Sequence, residues 1–506
     1  MTVVRQRVFR NAYRDSVELM RIAAELERLP GVLRAGLVMA TPANLAIVAE
    51  AGLDQGLEAG TGPNDMLVAL SASDAAAADA ALERAATLMR GTAAEVPGEG
   101  HRFTATTIAE ASDELAEANL ALISTPGPYA TAEALKALKR GMHVFLFSDN
   151  VSIADEIELK RMGVRKGLLV MGPDCGTAIL DGIPLGFANA VRRGRVGLVG
   201  ASGTWLQQVT CLLDAFGVGV SQAIGVGGRD LHEEVGGLMM LAGLQRLAAD
   251  DETDVVVLIS KPPAPVVAER VLAAAAAAAK PVVVNFLGGD PAAIREAGAH
   301  PAVTFEEAAQ LAASLSLGRA PEALQEDDQP EASVLSEGLV PGQDRIAGLY
   351  SGGTLAAEAK VVLKALLGAD GVAAQQIVDL GDDEYTVGRP HPMIDPRLRS
   401  EKIEEAGSDP RTAVILLDVV LGYASHPDPA GALIPAIRAA HQAAERGGRG
   451  LVLVASVCGT PGDPQGLAGQ RAILREAGVR VVASNARAAR LAGLIAQQAA
   501  RQGVTA

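Results

Sequence analysis

The chain has 506 residues, 49% of them hydrophobic, which is enough for roughly three or four domains that each bury a core. Its 60 acidic and 44 basic side chains give a formal net charge of -16. A charge of this sign repels the phosphate backbone of nucleic acids and anionic membrane surfaces. We therefore expect neither nucleic acid nor membrane as a partner.

The cysteines and the N-terminal residues indicate the cellular compartment. Cys175, Cys211 and Cys458 are too few for a disulfide scaffold, and no pair has metal-ligand spacing. The first residues lack the apolar core of a signal peptide, and no segment has about 18 uninterrupted apolar residues. These features predict a soluble protein of the reducing cytoplasm.

Residues 1–98 have the pattern of a small ferredoxin-like α+β domain. The spacing of apolar residues changes from that of a strand to that of a helix and back twice. It predicts strands at 3–13, 32–39 and 65–71, and helices at 16–29 and 75–90. Pro97-Gly98 is the predicted exit from this domain.

Residues 99–193 alternate short apolar strands with helices, which is typical of a parallel sheet buried on both faces. The pattern predicts strands at 120–124, 144–147 and 168–171, and helices at 130–139 and 152–162. This order predicts a Rossmann-like domain. No Gly-x-Gly-x-x-Gly follows its first strand, so the sequence does not support a dinucleotide site.

Two further α/β regions lie at 194–320 and 345–506, and an acidic, proline-containing stretch at 321–344 predicts a linker between them. Strands are predicted at 196–199, 218–223, 255–259 and 282–286, and then at 347–350, 413–417, 451–455 and 479–483. Three segments match in the same order between the two regions: 197–204 with 348–354, 255–259 with 413–417, and 281–291 with 451–464. This order indicates an internal duplication.

Each half has a glycine-rich helix start directly after its first strand. We call Ser202-Gly203-Thr204 the first helix start and Ser351-Gly352-Gly353-Thr354 the second helix start. The first N–H groups of a helix lack partners inside it, and the helix dipole adds positive charge there, so such ends bind anions. For either site alone, the alternative is simple N-capping. The repetition favours two helix starts that face each other across one phosphate or acyl phosphate.

A loop with ligand-binding potential is Gly172-Pro173-Asp174-Cys175, which follows the strand predicted at 168–171. Open parallel sheets bind ligands at the carboxyl ends of their strands. Cys175 is either a nucleophile or a structural or ligand-adjacent thiol, and the absence of a nearby histidine in the sequence favours the second interpretation.

The segment from Gly388 to Arg397 contains three prolines that fix an extended backbone. Arg389 and His391 project from it as candidates for substrate contact or acid–base catalysis, and the alternative for His391 is a surface or loop-bracing role. The acidic residues at 382–384 are either metal ligands or a solvated loop. We favour the solvated loop and predict no metal site.

At these residues the sequence resembles the succinyl-CoA synthetase superfamily and, in its duplicated single-chain layout, the FdrA family of acyl-CoA-synthetase-like proteins. The resemblance implies a Rossmann-like CoA-binding-type domain at 99–193 and flavodoxin-like ligase domains of the synthetase type at 194–320 and 345–506. It also implies that Gly172-Pro173-Asp174-Cys175 lies beside coenzyme A. Phosphate or substrate would be bound by both helix starts and by Asn285, Gly459 and Thr460.

The sequence departs from the synthetases where their chemistry occurs. Their phosphorylated histidine lies in a Gly-His-Ala-Gly loop, whereas His300 lies in Gly-Ala-His-Pro. Their acidic Glu-Ile-Gly-Gly segment is replaced by Ser260-Lys261-Pro262-Pro263, which supplies a cation for a phosphate leaving group. No ATP-grasp domain precedes the second half. We therefore predict an enzyme that uses a ready-made acyl or carbamoyl phosphate, with Lys261, Arg389 and His391 as catalytic residues.

The resemblance to the FdrA family further implies a subunit of an oxamate carbamoyltransferase-like enzyme in purine (allantoin) catabolism. Such an enzyme interconverts carbamoyl phosphate plus oxamate with oxalurate plus phosphate. Its partners would be a small anionic substrate and other subunits of a hetero-oligomer, and coenzyme A is a candidate cofactor that this reaction does not require. The alternatives are an NDP-forming acyl-CoA synthetase of the succinyl-CoA-ligase kind and a non-catalytic scaffold subunit.

Overall fold

A computed structural model of the chain describes residues 2–10, 12, 14, 16–41, 44–45, 48–49, 51–57, 60–91, 105–320, 327–386 and 390–505. The chain divides into two units. The first comprises Met1–Thr104 with Thr386–Pro390, and the second comprises Ala105–Tyr385 with His391–Ala506. No helix within these described ranges is long and apolar enough to cross a membrane.

Among the described residues, the first unit contains an antiparallel sheet and helices. Its elements are β1 (Val3–Phe9), α1 (Ser16–Glu27), β2 (Val32–Met39), β3 (Met66–Ala72) and α2 (Ala75–Gly91). β3 lies between β1 and β2 and runs antiparallel to both, which is the split βαβ arrangement of ferredoxin-like domains. Alternate β3 residues such as Val68 and Leu70 face a core shared with Leu26 and Ala81. The predicted fold is confirmed, and Pro97-Gly98 lies outside the described residues.

The second unit begins with a small parallel sheet in the order β4-β5-β6. Its strands are β4 (Leu120–Ile123), β5 (His143–Leu146) and β6 (Val170–Met171), and its helices are α3 (Ile108–Glu114), α4 (Gly127–Lys139) and α5 (Ile153–Lys166). Because the strands are parallel, the loops that follow them meet at one edge of the sheet.

A sheet of seven strands follows, in the order β13-β12-β11-β9-β10-β7-β8. Its strands are β7 (Thr177–Leu180), β8 (Ile183–Gly186), β9 (Arg193–Gly200), β10 (Val220–Gly225), β11 (Val255–Ser260), β12 (Val282–Phe286) and β13 (His300–Pro301). Its helices are α6 (Gly203–Ala215), α7 (Leu238–Ala249), α8 (Pro265–Ala276), α9 (Pro291–Glu296) and α10 (Phe305–Ser316). β9 to β13 are parallel, and the β7–β8 hairpin adds antiparallel strands beside β10.

The last sheet has five parallel strands in the order β15-β14-β16-β17-β18. The strands are β14 (Arg345–Tyr350), β15 (Gln376–Asp379), β16 (Thr412–Val420), β17 (Val452–Cys458) and β18 (Val479–Val482). The helices are α11 (Gln329–Ser336), α12 (Gly353–Ala373), α13 (Asp383–Thr386), α14 (Arg397–Ser408), α15 (Pro429–Arg446), α16 (Leu467–Glu476) and α17 (Asn485–Thr505). All predicted strands occur here, and β15 is an addition that the sequence did not indicate.

The stretch predicted as a linker, 321–344, contains α11 in its described part. Asp328 is buried just before that helix, and its two carboxylate oxygens each lie 3.0 Å from a guanidinium nitrogen, one of Arg487 and one of Arg490 on α17. Composition indicated an extended acidic chain because it does not reveal that a neighbouring helix supplies compensating arginines.

One apolar core joins the two repeated regions. Trp205 and Leu206 of α6 lie in the same buried cluster as Tyr350 of β14 and Leu355 of α12. Trp205 also packs on Phe305 of α10, with ring centroids 5.4 Å apart. Burial of large side chains immediately after each helix start therefore fixes the N-termini of α6 and α12 relative to each other.

Candidate functional site

The two helix starts meet. Ser202 Oγ, at the N-cap of α6, lies 2.5 Å from Thr354 Oγ1 in the first turn of α12. A Cβ atom built on Gly352 would lie 3.0 Å from Cγ2 of Thr204, so only a glycine permits this approach without displacement. The structure thus brings together the two motifs that the internal repeat singled out, whereas the ligand they bind stays a prediction.

The second helix start already holds an anion from the protein itself. Asp418 of β16 is fully buried and accepts hydrogen bonds from Ser351 N at 2.9 Å, Ser351 Oγ at 3.0 Å and Gly352 N at 2.8 Å. The donors of Ser351 and Gly352 are thus occupied by a carboxylate, and the binding of a substrate phosphate by these two residues stays a prediction.

A buried arginine holds that carboxylate in place. Arg399 of α14 donates to Asp418 Oδ1 at 2.7 Å and to the carbonyl oxygen of Leu349 at 3.0 Å. The ion pair removes the charge that would otherwise be uncompensated in the core. Asp418 and Arg399 were not indicated by the sequence, since they become neighbours of the second helix start only through strand pairing.

The first helix start has no such internal anion. Ser202 makes no side-chain capping bond to the main chain of α6, and in the described part of the chain no carboxylate hydrogen-bonds to Ser202, Gly203 or Thr204. The strand pairing is consistent with this difference. Counted back from the first helical residues Gly203 and Gly353, Val199 corresponds to Leu349. Val199 pairs with Leu258, which Ile259 follows, whereas Leu349 pairs with Leu417, which Asp418 follows. That an external anion uses the donors of the first helix start stays a prediction.

Two charged residues, Asp379 and Lys261, lie near the contact between Ser202 and Thr354, which we call the meeting point. Asp379 ends β15, and a Cβ atom on Gly353 would collide with its Oδ2; its Oδ1 accepts the N–H of Gly381 at 2.9 Å. Burial raises the pKa of Asp379 to about 6, and the nearby Lys261 ammonium acts in the opposite direction. The predicted cation thus lies in electrostatic reach of a carboxylate that the sequence did not single out.

His391 lies against the same loop. Its Nε2 would be 2.5 Å from a Cβ atom on Gly381, its ring centroid is 5.9 Å from that of Phe187, and its Nδ1 accepts the N–H of Met393 at 3.2 Å. Burial lowers the pKa of His391 to about 4, against the opposing effect of Asp418. The ring is therefore neutral at pH 7 with its proton on Nε2. Arg389, the third predicted catalytic residue, lies outside the described residues.

Three other predicted ligands have structural partners. Both polar groups of Thr460 are used, since its N–H donates to Asp463 at 2.7 Å and its hydroxyl to the carbonyl oxygen of Ala190 at 2.6 Å. A Cβ atom on Gly459 would lie 2.7 Å from Leu421. Asn285 donates to the carbonyl oxygen of Ala302 at 2.9 Å, while its buried Oδ1 has no partner in the described structure. Thr460 is thus held within its own turn and to Ala190, Gly459 is packed against Leu421, and the Asn285 side chain keeps an oxygen without a partner in the described structure.

The loop predicted beside coenzyme A follows β6. Asp174 is exposed there, with φ 56. Cys175 is buried, its thiol donates to the carbonyl oxygen of Thr177 at 3.5 Å, and burial raises its pKa to about 12. A buried thiol with a raised pKa is a poor nucleophile at neutral pH, which favours the structural or ligand-adjacent interpretation of Cys175.

Together the fold and these sites define a mixed α/β protein with CoA-binding and CoA-ligase domains. Residues 349–495 match the CoA-ligase domain family and 191–288 the CoA binding domain family, and 1–104 match the family described as AllF, heavy metal-associated domain. The chain is 40% identical over 496 residues to the uncharacterized protein YahF of Escherichia coli (strain K12), which covers 94% of this chain and 95% of YahF. It belongs to the same family as YahF.

More distant relatives match only parts of the chain or match weakly. The mitochondrial ADP-forming succinate–CoA ligase subunit alpha-2 of Trichomonas vaginalis is 31% identical over 143 residues, which is 26% of this chain and 44% of that protein. The chain thus spans less than half the length of that relative. The solved apo dinucleotide-forming acetyl-coenzyme A synthetase 1 of Ca. Korarchaeum cryptofilum covers 82% of this chain and 90% of its own, at 17% identity and a TM-score of 0.33, a likeness too weak to support an inference.

The CoA binding match lies on the segment predicted as the first ligase-like domain, so the boundaries predicted at 99–193 and 194–320 stay predictions. The residues at the edge of the small sheet nevertheless fit a phosphate-bearing ligand. Thr125 Oγ1 is buried without a partner in the described structure, and α4 begins two residues later with no side-chain cap. A free hydroxyl beside an uncapped helix N-terminus suits a phosphate of coenzyme A.

The match of residues 1–104 to a heavy metal-associated domain raises the question of a metal in the first unit. Soft metal ions are bound chiefly by thiolates and imidazoles, and this segment contains no cysteine and a single histidine, His101. Nor do the described residues anywhere contain three histidine, cysteine, aspartate or glutamate side chains placed to hold an ion. These residues do not fit a heavy-metal site, and we derive no step through a metal.

Proposed function

We propose that the chain catalyses an acyl-CoA ligase type of reaction in which an acyl phosphate and the thiol of coenzyme A are converted to acyl-CoA and inorganic phosphate. The sulfur attacks the acyl carbonyl, the bond between that carbon and the phosphate oxygen breaks, and the thiol proton is released to a base. The observation that carries this proposal is the contact between Ser202 and Thr354, which combines donors of two helix starts at one point.

Within this proposal the phosphate is bound at the first helix start. The donors are the main-chain N–H groups of Gly203 and Thr204 and one hydroxyl of the Ser202–Thr354 pair, since the other hydroxyl donates within the pair. Their preorganisation favours the charge that develops on the leaving phosphate. Lys261 adds a positive charge on the side of the first half. His391, neutral and protonated on Nε2, acts as a hydrogen-bond donor rather than as a base.

The CoA binding and CoA-ligase matches support the choice of coenzyme A as acceptor, and the succinate–CoA ligase relative supports an acid–thiol ligase. In an NDP-forming synthetase the acyl phosphate arises from a nucleotide. We infer that this chain supplies the acyl phosphate and CoA half of such a reaction. Membership of the FdrA family is part of the same proposal.

A second candidate is transfer of a carbamoyl group from carbamoyl phosphate to oxamate, as predicted from the sequence. Two observations favour it: the cation near the meeting point is Lys261, and His391 is buried with its pKa lowered to about 4, which suits a site that receives a ready-made acyl phosphate. Both candidates use the same anion site and differ in the acceptor.

The two candidates are distinguished by measuring phosphate release with each pair of substrates. Purified protein is incubated with CoA and acetyl phosphate, with and without ADP, and thioester and inorganic phosphate are both measured. We expect CoA-dependent phosphate release that falls strongly in Ser202→Ala, which removes a hydroxyl of the proposed phosphate site, and is unchanged in Thr87→Val, which removes an exposed hydroxyl in the first unit. Phosphate release only from carbamoyl phosphate plus oxamate would select the second candidate, and release with neither acceptor would contradict both.

A further inference from the structure

Asp379 is a carboxylate at the meeting point that lacks the compensation given to Asp418. Asp418 is neutralised by Arg399 and accepts three further hydrogen bonds, whereas the Asp379 carboxylate accepts one hydrogen bond within the described structure, from Gly381 N. Lys261, its cationic neighbour, is exposed to solvent, where its attraction is screened.

The position of Asp379 brings it into conflict with an anion. Its Oδ2 lies so close to Gly353 that a Cβ atom on that residue would collide with it. Gly353 directly precedes Thr354, whose Oγ1 is 2.5 Å from Ser202 Oγ. An anion bound by these hydroxyls and by the first turn of α6 therefore shares its surroundings with the carboxylate. Two neighbouring negative charges in a partly buried site repel each other, which favours protonation of one of them.

We propose that anion binding at the first helix start is coupled to the uptake of one proton by Asp379, which then faces the anion as a neutral carboxylic acid. The proton comes from a buffer acid, no other bond forms or breaks, and the resulting O–H is a donor in place of a repelling charge. This inference rests on the proposed function only for the location of the anion.

The groups around Asp379 are consistent with this role. Asp382 and Asp418 face it as carboxylates, Lys261 as a cation, and Arg399 is engaged with Asp418. His391, on the other side of Gly381, is neutral near pH 7 because burial lowers its pKa. Since burial has already raised the pKa of Asp379 to about 6, an added anion needs to raise it only moderately for the carboxyl to be protonated at neutral pH.

Sulfate is a suitable probe because it has the shape and charge of phosphate and does not titrate near neutral pH. Calorimetry at pH 7.5 in buffers of different ionisation enthalpy measures the protons taken up per sulfate bound by the full chain. We expect net uptake of up to one proton per sulfate, and a sulfate Kd that rises with pH above neutral by up to about tenfold per pH unit. In Asp379→Asn we expect binding without proton uptake and a Kd independent of pH, whereas Asp382→Asn retains the uptake.

Several results overturn the inference. These are sulfate binding by the wild-type chain without proton uptake, uptake that persists in Asp379→Asn but is lost in His391→Gln, and the absence of any sulfate binding. The wild-type measurement decides the matter even if Asp379→Asn does not fold. Proton-coupled sulfate binding together with no transfer to CoA or oxamate would instead contradict the proposed function and leave this inference standing.

Discussion

The two helix starts have nearly the same sequence and different chemistry. In the second, Asp418 fills the N–H groups of Ser351 and Gly352 and is held by Arg399. In the first, the residue that corresponds to Asp418 is Ile259, and among the described residues no carboxylate hydrogen-bonds to the start. Nearly the same motif thus has an internal carboxylate in one half and none in the other, so similarity of the two motifs does not imply that they have the same role.

The largest expected effect comes from removing the negative charge of Asp418 at the second helix start. Asp418→Asn leaves the buried Arg399 without its counter-charge, so we expect the free energy of unfolding to fall by about 3–5 kcal/mol. Urea unfolding measures this change in the free energy of unfolding. The matched control is Glu405→Gln, which breaks an exposed pair with Lys402 and should leave the midpoint nearly unchanged. Equal effects of the two substitutions would contradict the role assigned to Asp418.

The next prediction makes the second helix more like the first. Glu358 lies five residues after Gly353, as Gln208 lies after Gly203, and both are buried. Burial raises the pKa of Glu358 from 4.5 to about 8, so the folded state binds the proton more tightly and stability falls as pH rises through that window. The loss is about 1.4 kcal/mol per pH unit.

Glu358→Gln removes this titration, so the variant should gain stability relative to wild type between pH 6 and pH 8. Thermal unfolding across this range measures the gain, and Glu404→Gln, at an exposed glutamate of α14, is the control. A difference between Glu358→Gln and wild type that does not change with pH would show that Glu358 is not the titrating group.

The comparison is tested by placing a carboxylate near the first helix start. Ser260→Asp places a negative charge after the strand position paired with Gly200, so we expect sulfate affinity at pH 7.5 to fall about tenfold or more. Ser260→Ala controls for loss of the hydroxyl and should bind normally. Unchanged affinity in Ser260→Asp would locate the anion elsewhere.

The smallest predicted effect is that of Thr354→Val, which removes one hydroxyl from the contact with Ser202 at constant shape. A single neutral hydrogen bond contributes about 1 kcal/mol, so sulfate should bind about fivefold more weakly, as calorimetry measures. Thr210→Val removes a buried hydroxyl on α6 that bonds only within its own helix, and it should leave the affinity unchanged. An equal loss in both would assign the effect to packing.

Much of the fold was predictable because its strands are continuous apolar runs and its helices have clear amphipathic spacing. The strands that escaped prediction are short: β13 has two residues, β7, β8 and β15 have four each, and so few positions establish no period. Because β15 was not predicted, Asp379 at its end was not recognised as a candidate site residue. Thr125 was missed for a different reason, since a hydroxyl without a partner is recognised only when its surroundings are known.

By itself the sequence determined the duplication, the order of the α/β regions and the two glycine-rich helix starts, because these depend on local periodicity and local backbone requirements. Only the tertiary structure decided that the two starts touch, that Asp418 fills the donors of the second start and that Asp379, in electrostatic reach of Lys261, lies beside Gly353 of that same start. Those outcomes depend on which strands pair and on which carboxylates the core buries, and both bring together residues that are distant along the chain.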